Sequence, residues 1–69
     1  MNRIQKIIIR KMAAGYTQPE VAQYLEKRKI TPCSLSTIEK ELLKLKKEYG
    51  AQTMVQLFII LIKKGHIKV

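Results

Sequence analysis

The sequence predicts an all-α fold of four short helices, and three observations carry that expectation. Residues that cap a helix start recur with Glu or Gln three places on: Asn2 with Gln5, Thr17 with Glu20, Ser36 with Glu39, and Thr53 with Gln56. Each pair precedes apolar residues at helical spacing. Gly15, Gly50 and Gly65 follow three of those runs, where a residue in the left-handed conformation commonly ends a helix. No segment needs a strand to explain its pattern.

Taken in order, the first helix is expected over 3–14. The second is expected over 18–29, with Pro19 in its first turn, where a missing N–H costs little. The connection from Lys29 to Leu35 is the only long one and holds Pro32 and Cys33. The third helix is expected over 36–49. At about 100° per residue, Ile38, Leu42, Leu45 and Tyr49 fall in one narrow stripe, the core face. Ser36, Lys40, Leu43, Lys44 and Lys47 lie opposite, with Glu41 and Glu48 on one shoulder and Glu39 and Lys46 on the other. A lysine row opposite a buried stripe suits insertion into a DNA major groove; the same row also reads as a solvated face. The fourth helix, 53–64, is apolar around most of its circumference, more than one small core absorbs. Met54, Val55, Phe58, Ile59 and Ile62 are therefore expected to form a symmetric contact with a second copy, unless the helix sinks into its own domain.

Composition narrows the function classes. Sixty-nine residues make one domain, 1–69, too short for a TIM barrel or a dinucleotide-binding sheet. With 46% hydrophobic residues the chain is too apolar for a disordered basic tail. Fourteen Lys and Arg against five acidic residues leave a net charge of +9, which points to a polyanion, nucleic acid or an anionic membrane surface. That excess is uneven. The first helix carries Arg3, Lys6, Arg10 and Lys11 with no acid, whereas the third sets four lysines against three glutamates. Capped helices around a contiguous core disfavour the membrane reading.

Catalysis is not expected. His66 is the only histidine, no Asp is present to orient it, and Cys33 has no partner at metal spacing. Neither a metal, a cofactor nor a small-molecule substrate is anticipated. A single cysteine fits a reducing compartment, and MNRIQKIIIRKM lacks the apolar core of a signal peptide, so a cytoplasmic location is expected. The tyrosines are read as packing residues with polar tips rather than stacking platforms.

The stretches MAAGYTQPEVAQYL (12–25) and SLSTIEKELLKLKKEYGAQTMVQL (34–57) resemble the LuxR-type helix-turn-helix domain of bacterial transcription regulators. Ala14, Gly15, Thr17, Glu20, Val21, Ala22 and Leu25 match its first block, and Ser34, Thr37, Ile38, Leu45 and Gly50 match its second in spacing. The resemblance implies a recognition helix at about 36–49 and a dimerisation helix at the C-terminal end. It implies base or groove contacts from Ser36, Glu39, Lys40, Leu43, Lys44 and Lys47. Phosphate contacts would come from Thr17, Gln18 and Thr37, and from Lys27, Arg28 and Lys29 in the basic turn. Two departures stand out: the turn EKRKITPCSLS is longer than the family's and lacks glycine, and Glu41 replaces a common histidine. The resulting expectation is a homodimer that binds double-stranded DNA sequence-specifically. The alternative is an interaction module of the same fold that binds a protein through the apolar fourth helix.

Overall fold

Local hydrogen bonding at the helix ends decides where each helix begins and stops. The computed structural model describes residues 1–67, with α1 at Arg3–Ala13, α2 at Gln18–Lys27, α3 at Leu35–Tyr49 and α4 at Met54–Lys63. The capping boxes at Asn2 and Gln5 and at Thr17 and Glu20 both form. The expected box at Ser36 and Glu39 does not. Ser34 caps α3 instead, accepting from the Thr37 N–H at 3.2 Å while its hydroxyl meets that of Thr37 at 2.8 Å. Starting there gains a residue of helix and leaves Ser36 in the exposed first turn. At α4, Thr53 accepts from the Gln56 N–H, but the Gln56 side chain reaches one residue further back, to the Gln52 N–H at 2.7 Å.

All four helices stop in the same way. The residue after the turn donates its N–H to a carbonyl five positions back: Tyr16 to Lys11, Ile30 to Leu25, Ala51 to Lys46 and His66 to Leu61, all at 2.8–3.0 Å. This geometry needs a left-handed residue just before the donor. Gly15, Gly50 and Gly65 fill that place in three helices, and Lys29, at φ 56°, fills it in the fourth. Helix α2 therefore ends at Lys27 rather than Lys29, and the glycine missing from the long turn is replaced by a strained lysine.

The four helices close around Ile8, Ile9, Val21, Leu25, Ile38, Leu42, Leu45, Leu57 and Leu61, with Ile67 covering one edge. Helix α3 touches the other three helices, through the stripe predicted for it. The one buried polar side chain among the described residues is Gln5, and it is fully used. Its carbonyl accepts from the Asn2 N–H at 3.1 Å, and its amide donates to Glu41 on α3 at 2.8 Å.

A left-handed L-residue costs about 1 kcal/mol. Lys29→Gly is therefore expected to raise Tm by roughly 2–8 °C in thermal melts, allowing for the entropy glycine adds to the unfolded chain. Gly50→Ala, at φ 69°, should lower Tm by a comparable amount.

Candidate nucleic-acid interface

Burial of the Ile38, Leu42 and Leu45 stripe leaves the opposite side of α3 to solvent. Ser36, Glu39, Lys40, Leu43, Lys44 and Lys47 all lie there exposed, and Leu43, at 50% exposure, is an apolar residue amid the charges. Glu41 is different. It is turned toward α1, its side chain is only 15% exposed, and its two oxygens face Gln5 at 2.8 Å and Lys44 at 3.5 Å. The position where the LuxR-type pattern commonly has histidine is thus occupied by a residue tying α3 to α1. Because Lys44 is 70% exposed, the ion pair itself contributes little stability, about 0–1 kcal/mol, but it biases where the lysine points.

The residues expected to meet phosphate separate into two groups. Gln18, half-buried at the start of α2, borders a shallow cleft of about 240 Å³ with Glu39, Leu43, Lys46 and Met54, so the start of α2 lies beside the exposed row of α3. Lys27, Arg28 and Lys29 are exposed at the other end of α2, about 14 Å along the helix. Thr37 is half-buried and its hydroxyl is engaged by Ser34.

Thr17 is also engaged. Glu20 accepts from the Thr17 N–H at 3.0 Å and from its hydroxyl at 2.9 Å, so a carboxylate already occupies the N-terminus of α2, where a phosphate would otherwise be favoured. Those hydrogen bonds, the backbone one foremost, hold the Glu20 carboxyl below its ordinary value of 4.5.

A cluster of cations and aromatic rings forms where α1 meets α2. The Lys11 ammonium lies 4.2 Å from the centre of the Tyr24 ring and 5.2 Å from that of Tyr16, and the Arg28 guanidinium lies 5.2 Å from Tyr24. The two tyrosine rings meet edge to face at 6.4 Å. Arg28 is therefore partly committed to its own domain. The spacing of Tyr24 and Arg28, four apart on α2, was the available sequence signal; Lys11 required the tertiary fold.

Helix α4 presents two apolar sides. Leu57 and Leu61 are buried, and Met54 and Phe58 are half-buried against the same core. Val55, Ile59 and Ile62 follow at i, i+4 and i+7 on the outer side, exposed at 72%, 47% and 41%. Of the five residues expected at a subunit contact, three thus form an outward stripe and two are largely used within the domain.

Among the described residues no cluster of His, Cys, Asp or Glu is arranged to hold a metal ion, and no helix is long and apolar enough to cross a membrane. Cys33 is half-buried against the core, and His66 meets the Tyr49 hydroxyl at 3.4 Å. No protein-family model, curated protein or solved structure matches the chain.

A carboxyl held below its ordinary pKa stabilises the fold above pH 4.5, and that contribution is lost as the pH falls through the lowered value. Thr17→Val should raise the Glu20 pKa toward 4.5 in an NMR titration. It should also lower Tm at pH 6 more than in acid below the lowered value, where Glu20 is protonated in both proteins.

Proposed function

We propose that the chain is a cytoplasmic double-stranded DNA-binding domain of the helix-turn-helix kind, with α3 lying in the major groove. The observation that carries this reading is the exposed row on α3, Ser36, Lys40, Leu43, Lys44 and Lys47, opposite its buried stripe. A major groove about 12 Å wide admits a helix presenting such a row. The start of α2 beside that row, and the resemblance to LuxR-type regulators, support the same arrangement and a role in transcription regulation. Lys40, Lys44 and Lys47 reach base edges or phosphates, and Glu39 accepts from a cytosine amino group. Val55, Ile59 and Ile62 pair with a second copy, which sets two recognition helices about 34–36 Å apart, or a multiple of it, on successive grooves.

The exposed stripe on α4 favours a second reading, a module that binds another protein through that helix with no need of DNA. Fluorescence anisotropy with a random duplex separates the two. DNA binding predicts that log K falls linearly with log salt, with a slope near −5 for about six neutralised phosphates. Lys40→Glu with Lys44→Glu should weaken binding by at least tenfold while leaving the helical circular dichroism intact; unchanged affinity would remove α3 from the interface. For the subunit contact, Val55→Lys with Ile59→Lys should give a monomer in analytical ultracentrifugation where the parent chain is a dimer.

A further inference from the structure

We propose that the outer side of α1, joined by the C-terminal turn of α4, is a second nucleic-acid surface that grips the backbone of another duplex while α3 faces the first. Three features of α1 carry this. Arg3, Lys6 and Arg10 are all exposed and fall within one stripe, about 60° wide at 100° per residue. Their axial separations, about 4.5 Å and 6 Å, are of the order of the phosphate repeat, one per 3.4 Å of duplex axis on each strand. None of the three has an ion-pair partner among the described residues, where the only such pair is Lys44 with Glu41.

Charge placement distinguishes this surface from α3. All five acidic residues, Glu20, Glu26, Glu39, Glu41 and Glu48, sit on α2 and α3; α1 and α4 have none. The lysines of α3 are therefore interleaved with carboxylates, whereas the field of α1 is uncompensated. Lys6 and Arg10 border one cleft with Gly65 and His66, which brings the turn that follows α4 against the row, directly after the exposed Lys63 and Lys64.

Orientation separates this surface from the groove-facing one. Gln5 points at α3 through its bond to Glu41, and Lys6, Arg10 and Arg3 stand about 100°, 140° and 160° around α1 from it. The row is thus turned away from α3 and from any duplex held there. A lipid surface fits less well, because the exposed large apolar side chains are Tyr16, Leu35, Leu43, Val55, Ile59 and Ile62, and none belongs to this row. The proposal takes from the reading above only a nucleic-acid partner, and the α1 row is tested apart from α3.

The test compares four otherwise full-length chains, all carrying Val55→Lys and Ile59→Lys so that paired subunits do not bridge. They are this parent, Arg3→Gln/Lys6→Gln/Arg10→Gln, Lys40→Glu/Lys44→Glu, and Gly50→Ala as a control for mild destabilisation. Donor- and acceptor-labelled 20-base-pair random duplexes report bridging by energy transfer, and anisotropy on one duplex gives the salt slope. The parent and the control should bridge. The α1 triple variant should keep binding one duplex through α3 and lose bridging. The α3 variant should still bind one duplex through α1, with a salt slope near −2.7, or about 0.9 for each of three phosphate contacts. Bridging unchanged in the triple variant would overturn the proposal, as would an α3 variant that binds no duplex, or a parent that never bridges or that prefers phosphatidylserine vesicles to duplex. If instead the α3 variant binds one duplex like the parent while the triple variant does not bind at all, the α3 reading fails and the α1 surface stands.

Discussion

The burial of one stripe on α3 is the constraint from which the other features follow. Ile38, Leu42 and Leu45 belong to the core cluster and α3 contacts α1, α2 and α4, so this 15-residue helix is the shared wall of the core. Once that stripe is inward, Lys40, Leu43 and Lys47 have no direction left but outward. The candidate interface is in this sense the remainder of the packing problem. Its rigidity comes from the same contacts, with Gln5 and Glu41 adding a polar tie that resists rotation of α3 against α1.

Small domains have little hydrophobic surplus, and this one compensates by careful treatment of helix ends. Every helix start has a side-chain oxygen accepting from the third residue of the helix, and every helix end returns an N–H to a carbonyl five positions back. Caps of this kind each contribute about 0.5–2 kcal/mol, which matters when total stability is only several kcal/mol. Lys29 shows how strict the scheme is: the turn keeps the left-handed geometry even though an L-residue pays for it. The same economy touches function. Glu20 completes a cap at Thr17 and thereby places a carboxylate at the start of α2, where a phosphate would have been welcome.

Net charge is distributed unevenly over the helices. The acidic residues all sit on α2 and α3, which leaves those two helices near neutrality, while α1 and the end of α4 are wholly basic. Under the proposed reading, long-range attraction to DNA originates away from the helix assigned to the bases. Neutralising neighbours on α3 makes its contacts depend on geometry more than on bulk charge. Glu41 illustrates this, since it is oriented by Gln5 and in turn orients Lys44.

By itself the sequence determined the all-α class, the number of helices, their ends to within two residues, and the inward stripe of α3. Those are local properties, set by capping side chains, glycines and a 3.6-residue period, and they need no knowledge of neighbours. The structure moved the α3 cap from Ser36 to Ser34, whose hydroxyl accepts from the Thr37 N–H and starts the helix one residue earlier. Tertiary structure alone decided the rest. Glu41 was legible only as a shoulder position until Gln5, 36 residues away, came within 2.8 Å. Met54 and Phe58 shared an apolar helix with Val55, Ile59 and Ile62, and only docking against the core separated half-buried from exposed. The pairing of Lys11 with Tyr24, and the alignment of the α1 row with the end of α4, likewise depend on how helices pack. Helical periodicity says which residues share a side; it carries no information about what that side will face.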